Sequence, residues 1–364
     1  MTDMNAGSVA PEPPPLLPSD WQPLAGQIGP NDEDFRVDEI PLYAFSGEGE
    51  HLLLHVEKRG INTRDVLKEI ASQSGVALRD IGYAGMKDRH AVTTQWFSVA
   101  TRESPETWVW SDAVTLLEYT RHNNKLRTGH LRGNRFRLRV FDVSDADALS
   151  DRVEALRNTG ILNGFDAQRF GVGGKNLERA LHWAERGGKV SHFKQKLYVS
   201  VLQAHVFNWI LAQRAQNDQL QVLQGDVLRL HGSGSVFVSE DPAVDEARRL
   251  AQDVHLTGPI FGPRAKAAEH EAGEIEQAAI DALALSEAAQ KRVARSGPGT
   301  RRDLFLAVED LRIDVETSNT VCVEFSLEAG AYATNVLRHL LRRGWEEPLR
   351  VQHDLDDGLD EGDQ

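Results

Sequence analysis

The chain has 364 residues, 40% apolar and 26% charged. That is the size of two domains, or of one domain with a large insertion, and leaves enough apolar surface for a core. No apolar run is long enough to span a bilayer, and Met1-Thr2-Asp3-Met4-Asn5 has neither the basic nor the apolar region of a signal peptide. The single cysteine, Cys322, excludes an intrachain disulfide and an all-cysteine zinc site, and points to a reducing, cytoplasmic setting. A net charge of −14 argues against a polyanionic partner only until it is divided along the chain. Residues 1–40 and 345–364 each hold eight acidic groups and one arginine, and together account for the whole excess. The body between them is neutral, and a neutral body can carry a local basic face.

In chain order, residues 1–20, rich in proline, read as a disordered leader. His51-Leu52-Leu53-Leu54-His55-Val56 reads as a strand, and Asn62 as the cap of a helix through Val66, Leu67 and Ile70. Residues 95–99 form a second strand. Phe136, Leu138 and Val140 alternate with Arg135, Arg137 and Arg139, the pattern of a half-buried strand with a basic outer face. Ser144 and Asp147 suggest a capping box for a helix ending at Gly160. Asn176 reads as the cap of a short helix, residues 197–216 as a buried helix, and residues 265–294 as surface helices. Residues 321–327 alternate as another strand. A helix from Tyr332 to about Arg343 closes the folded part, and an acidic tail covers 346–364. Strands at both ends and helices between them suggest one α/β domain interrupted by an insertion.

The densest run of chemical groups is Gly85-Met86-Lys87-Asp88-Arg89-His90-Ala91-Val92-Thr93, followed by Gln95-Trp96. Cations beside a carboxylate favour its charged form, so Asp88 is expected to stay ionised between Lys87 and Arg89, fit to act as nucleophile or base. A turn aspartate with two surface partners would look the same.

This run resembles the signature of the TruD family of tRNA pseudouridine synthases, and three more segments match that family in order. They are Asn31-Asp32-Glu33-Asp34-Phe35-Arg36-Val37, Asn163-Gly164-Phe165-Asp166-Ala167-Gln168-Arg169-Phe170-Gly171, and Phe325-Ser326-Leu327-Glu328-Ala329-Gly330-Ala331-Tyr332-Ala333-Thr334. The resemblance implies that Asp88 is the catalytic aspartate. It implies that Phe35, Asn163 and Tyr332 line the uridine pocket, with Lys87 and Phe165 close by. It implies a catalytic domain over 21–188 and 307–345, built on a mixed, mostly antiparallel sheet with flanking helices. An inserted α/β domain would occupy 189–306. The implied substrate is tRNA at uridine 13. Gly164, Asp166, Glu328, Ala331 and Tyr332 depart from the family pattern, and Asp166 and Glu328 add negative charge where phosphate is expected.

The chemistry agrees with these roles. Isomerising uridine breaks the N1–C1′ bond, turns the uracil and joins C5 to C1′. An aspartate near the sugar can attack C1′ or remove the C2′ proton, and the sequence leaves both open. Neither redox change nor group donor is needed, so no cofactor, metal or obligate protein partner is implied. The base must leave the helical stack to be reached, and aromatic side chains can receive it. Arg121, Lys125, Arg127, Arg132, Arg135, Arg137 and Arg139 form the expected phosphate-contacting face, with Gly129 and Gly133 allowing close backbone approach.

Two rival readings remain. One is a silent RNA-binding protein of the same fold, which Asp88 and its basic flanks disfavour. The other is a nucleotide-binding enzyme using Gly171–Asn176, which lacks the glycine and the Ser/Thr of a phosphate loop. Ser191-His192-Phe193-Lys194 fits a serine-lysine motif without its partner motifs. The 13 histidines show no metal-ligand spacing, and Cys322 reads as a core thiol.

Overall fold

The computed structural model describes residues 13, 15, 16, 20–344 and 349. Apart from those few positions, the expected leader and acidic tail lie outside the described residues.

The elements in chain order are β1 (Gln27–Ile28), β2 (Phe35–Pro41), β3 (His51–Arg59), α1 (Thr63–Ser74), β4 (Gly82–Tyr83), β5 (Val92–Ala100), β6 (Val114–His122), β7 (Leu131–Phe141), α2 (Ala146–Thr159) and β8 (Ile161–Leu162). Then come α3 (Lys175–Arg186), α4 (His192–Gln216), β9 (Val227–Leu230), β10 (Val236–Val238), α5 (Pro242–Leu250), β11 (Val254–Ile260), α6 (His270–Asp281) and α7 (Glu287–Ser296). The chain closes with β12 (Thr300–Asp303), β13 (Phe305–Leu306), β14 (Glu309–Thr317), β15 (Thr320–Glu328) and α8 (Ala333–Leu341).

Nine strands form one mixed sheet, ordered β14-β15-β7-β2-β5-β3-β6, with β1 on β7 and β4 on β5. The β2–β5 pair is parallel and its neighbours are antiparallel. The fold is therefore mixed α/β, on a mostly antiparallel sheet, as expected. Strands β14 and β15 lie far along the chain yet pair beside β7; β8 and β13 pair with each other outside this sheet, and a long stretch of chain lies between them. That stretch builds a four-stranded sheet, β10-β9-β11-β12. Helix α4 packs Phe207 and Leu211 with Leu228 and Leu256 of that sheet. Its other side gathers Leu177 and Trp183 of α3, Ala279 of α6 and Val293 of α7.

Register fixes what each face of the large sheet carries. Lys58 opposes Thr93, Thr93 neighbours Val37, Val37 opposes Phe136, and Phe136 opposes Phe325. Side chains alternate along a strand, so these residues share one face and Arg135, Arg137 and Arg139 project from the other. On the first face, α2 and α8 cover one side, with Leu149, Val153, Val336 and Leu340 against Leu138 and Phe325. Helix α1 covers the other side with Val66, Leu67 and Ile70 against Leu54 and Phe97. Each fully buried aliphatic side chain contributes about 1.5–3 kcal/mol. Between the two apolar clusters the buried side chains are polar: Glu39, Lys58, Thr93 and Gln95.

Local chemistry sets the element ends. Asn62 and Asp65 form a reciprocal capping box for α1, and Gly75 ends it at φ 68°, a left-handed conformation that glycine adopts without strain. The cap of α2 is Asp145, not Ser144: Asp145 Oδ1 accepts from the Ala148 amide at 2.9 Å, while Ser144 Oγ accepts from Ala25. Asn176 does not cap α3; Gly174 does, at φ 72°, and the Asn176 amide donates to Phe170 O. Helix α4 begins at Ser191, whose hydroxyl accepts from the Lys194 amide, so it starts earlier than its apolar pattern suggests. Gly133 is sterically required, because a Cβ there would lie 2.1 Å from the Leu327 carbonyl oxygen on β15.

Candidate active site

The segment 84–91 crosses the polar centre of the sheet, and side chains from four elements pin it. Thr63, at the start of α1, accepts from the Lys87 amide at 3.1 Å and donates to Gln95 Oε1 at 3.0 Å. Gln95 in turn donates to Gly85 O at 3.2 Å. Lys87 turns inward: its ammonium meets Glu39 Oε2 at 2.8 Å with both side chains buried. The other Glu39 oxygen accepts from the Trp96 amide. Removing one partner from such a buried pair costs about 3–5 kcal/mol.

Lys87 is therefore not the flanking cation the sequence suggested. That place belongs to Lys58 of β3, which is 1% exposed and donates to the Asp88 carbonyl at 2.6 Å. Burial pulls its pKa down to about 8; Asp88 and Asp32 pull it back up, and Lys87 adds to the depression. Asp88 itself is exposed. The result is a carboxylate-bearing residue in solvent, on a loop anchored from below by an ammonium. Phe35 starts β2 on this same face and packs edge-on against Phe136, with ring centroids 6.4 Å apart. Sequence reasoning missed Lys58 because it sits 30 positions from Asp88, at the polar end of an apolar strand.

A second group forms where the 163–170 segment meets the start of α8. Beside it, a pocket of about 350 Å³ is lined by Asn163, Phe165, Arg169, Arg302 and Glu328 among others; Asp88, Phe35 and Tyr332 lie outside its lining. Asn163 is 2% exposed. It donates to Asp303 O at 3.0 Å, while its Oδ1 accepts from Arg302. The Arg302 guanidinium lies over the Phe165 ring at 4.4 Å and that of Arg169 at 5.7 Å. Arg169 also donates to the Tyr332 hydroxyl at 2.9 Å. Asn163, Phe165 and Tyr332 are thus brought together, through two arginines that sequence reasoning did not single out. Arg169 lay inside a matched motif, and Arg302 was visible only as one of two consecutive arginines.

The acidic departures behave differently from each other. Asp166 is 4% exposed. Its carboxylate accepts from the Ala167 amide at 2.6 Å and the Thr334 hydroxyl at 2.5 Å, and lies 3.5 Å from the Arg338 guanidinium. Asn335 donates to Gly164 O at 2.6 Å. The Asp166 charge is thus spent internally, latching this segment to α8. Glu328 does reach the pocket. Partial desolvation raises its pKa, Asp303 adds to the rise, and Arg229 and Arg302 oppose it.

The seven basic residues do not share one face. Arg135, Arg137 and Arg139 form the expected row, on the face opposite Lys58. Within it Arg137 pairs with Glu324 at 3.2 Å and Arg139 with Glu316 at 2.6 Å. Arg132 pairs with Glu309 at 3.1 Å. Arg121 opposes Leu52, on the helix-covered side, and donates to Thr101 O. Lys125 and Arg127 lie in the loop before β7, whose Gly129, at φ 93°, donates to Ala84 O at 2.8 Å. Among the described residues, no cluster of three or more His, Cys, Asp or Glu is placed to hold a metal ion, and no helix is long and apolar enough to cross a membrane.

The family model for tRNA pseudouridine synthase D (TruD) matches residues 16–178 and 174–340, which takes in both groups of side chains. The chain belongs to the TruD family. It is 40% identical over 345 residues to the tRNA pseudouridine synthase D of Anaeromyxobacter sp. (strain Fw109-5), covering 92% of this chain and 97% of that one. It is 38% identical to the Methylococcus capsulatus protein of the same name, covering 88% and 93% of the two chains. A Thermus thermophilus protein of that name is 35% identical, with 91% and 93% covered. A crystal structure from Methanosarcina mazei described as TruD superposes with a TM-score of 0.72 at 20% identity, covering 89% of this chain and 95% of that one. At that identity the likeness concerns the fold. Membership of the TruD family makes the chain an isomerase of the pseudouridine-synthesis class.

Proposed function

We propose that this chain converts a uridine of tRNA, uridine 13, into pseudouridine, with Asp88 as the reacting carboxylate. The observation that carries this reading is the Asp88 loop: exposed at the residue that would react, and fixed beneath by Lys58, Thr63, Gln95 and the buried Lys87–Glu39 pair. Such pre-positioning is what a carboxylate needs to meet a ribose carbon. The N1–C1′ bond breaks, the uracil turns, C5 bonds to C1′, and the proton leaving C5 is matched by one gained at N1. Asp88 serves by attacking C1′ or by removing the C2′ proton, and a deuterium isotope effect at C2′ separates the two.

Target recognition falls to the Asn163–Phe165–Tyr332 group. Arg169 and Arg302 supply positive charge for phosphate, and the Phe165 and Tyr332 rings supply stacking, worth about 1–3 kcal/mol per base. Phe35 closes the apolar side of the site. The reaction is redox-neutral and needs no cofactor. Lys125 and Arg127, next to the 84–88 segment, are the leading backbone contacts. The catalytic unit is proposed as 21–188 with 307–345, and the inserted unit as 189–306; α3 sharing a core with α4 favours an earlier first boundary.

The test is pseudouridine mapping on a tRNA transcript with wild type and Asp88→Asn. Asn keeps the size and removes the charge. Loss of product by at least about 10³-fold, with RNA binding retained, is expected. Turnover by Asp88→Asn in a single-turnover assay would sink the assignment.

A further inference from the structure

Where β2 ends and β7 begins, a second cavity of about 540 Å³ opens between the loops at 42–50 and 123–130. Its lining is Tyr43, His122, Asn124, Lys125, Arg127 and His130: three rings, two cations and, among the described residues, no carboxylate. We propose that this cleft holds one unpaired nucleotide of the RNA substrate other than the target uridine, its base against Tyr43 and His122 and its phosphate against Lys125 and Arg127. The proposal rests on the tRNA reading above and adds a second site to it.

The rings are already held in place. Tyr43 and His122 lie 5.3 Å apart between centroids with planes tilted by 32°. The Tyr43 hydroxyl is 3.1 Å from His130 Nδ1. The Ser46 amide donates to His122 Nδ1 at 3.3 Å, which leaves Nε2 to carry that ring's proton. Phe45 supports the shelf from behind, edge-on to Tyr43 and 4.6 Å from Trp96. A shelf fixed in this way receives a base without first losing rotamer freedom.

The cations remain available. Lys125 spends one N–H on Arg79 O at 3.0 Å and has no carboxylate partner among the described residues. Arg127 is exposed and has no carboxylate partner among the described residues. Bare phosphate would account for the cations but not for three rings, and a peptide side chain for neither together; a nucleotide uses both. The cleft also touches the Asp88 loop. The Gly129 amide donates to Ala84 O, and four residues of extended chain separate Ala84 from Asp88, at most about 14 Å. The loop that lines the cleft therefore touches the segment that carries Asp88, close enough for one RNA strand to reach both.

The experiment is ultraviolet crosslinking of the full chain to tRNA, mapped by mass spectrometry, together with steady-state kinetics of Tyr43→Ala, Tyr43→Phe and Arg127→Gln. Crosslinks at Tyr43, His122 or His130 are expected. Tyr43→Ala should raise KM for tRNA about tenfold with kcat within about twofold, Tyr43→Phe, which keeps the ring and loses only the hydroxyl contact to His130, should raise it less than Tyr43→Ala, and Arg127→Gln should raise KM severalfold. Uridine monophosphate should compete for the crosslink where inorganic phosphate at equal concentration does not. Absent crosslinks with unchanged KM in Tyr43→Ala overturn the proposal, and equal competition by inorganic phosphate reduces the cleft to a phosphate site and overturns it too. Arg127→Gln alters an exposed side chain and guards against misfolding of Tyr43→Ala. The crosslink forms without turnover, so a protein that binds RNA here yet makes no pseudouridine refutes the proposed reaction and leaves the cleft standing.

Discussion

Lys58 gives the site a pH signature of its own. Its pKa is near 8 in the folded protein, against an ordinary lysine value of about 10.4. Below pH 8 the ammonium anchors the Asp88 loop, and above it the charge is lost, so kcat/KM should decline through pH 8. Stability should move the other way. Between pH 8 and about 10.4 the unfolded chain binds a proton that the folded chain does not, so folding is favoured as pH rises. Lys58→Met should lower kcat at least tenfold and remove both trends, read from pH–rate profiles and urea melts at pH 7.5 and 9.5. Activity without an alkaline limb near pH 8 in wild type would contradict the anchoring role. Asp88 could be singled out in the sequence because its neighbours are polar, special and contiguous. Lys58 could not, because a lysine at the end of an apolar strand reads as a solvated terminus, and only the pairing of β3 with β5 carries it under the loop.

At the scale of elements, the latch between the 163–170 segment and α8 holds one wall of the pocket, the segment that carries Asn163, Phe165 and Arg169. Asp166 ties an amide, a hydroxyl and a guanidinium, and Asp166→Ala would leave Arg338 in the interior without that anion. The expected cost is about 2–4 kcal/mol in denaturant unfolding, with a raised KM for RNA as Asn163 and Phe165 lose their support. Asp166→Asn, which keeps an acceptor for Thr334, should lose less. A second effect belongs to α4, whose His205 is buried without a partner for Nδ1 among the described residues. Burial lowers its pKa to about 4. The unfolded chain therefore takes up a proton below about pH 6.5 that the folded chain refuses until pH 4. Stability from this group is lost across that window at about 1.4 kcal/mol per pH unit. His205→Leu should flatten the acid side of the stability curve by that slope. Most of these elements were legible from apolar spacing. Their exact caps were not, because Ser144 and Asp145 are both good caps and only the Ala25 amide decides which is free. The role of Asp166 was hidden as well, since a carboxylate in a phosphate-binding region reads as repulsion until its three donors are seen.

Across the whole molecule, the question is which cations meet RNA, and composition alone misleads. The row Arg135, Arg137, Arg139 follows correctly from period-two alternation, but the same alternation puts it on the sheet face opposite Lys58. Two of its three guanidiniums are paired with glutamates of β14 and β15. Exposed pairs of this kind contribute about 0–1 kcal/mol to stability, so replacing them should leave the fold intact. They also leave Arg137 and Arg139 already neutralised by carboxylates, so that neither is free to replace a counterion on an RNA phosphate. The loop before β7 differs: Lys125 and Arg127 have no carboxylate partner among the described residues and stand next to the Asp88 segment. Each phosphate contact contributes about 0.7–0.9 to the slope of log affinity against log salt. Lys125→Gln with Arg127→Gln should therefore lower that slope by about 1.4–1.8. Arg135→Gln with Arg137→Gln and Arg139→Gln should lower it by no more than about 0.9, the share of Arg135, the member of the row with no carboxylate partner among the described residues. Binding to tRNA by both variants, measured from 50 to 300 mM salt beside thermal melts, decides between them. A loss of about 2–3 in the row variant with no change in the loop variant would move the RNA to the other face of the sheet. It would then have to reach Asp88 around the sheet edge rather than along the loop that touches it.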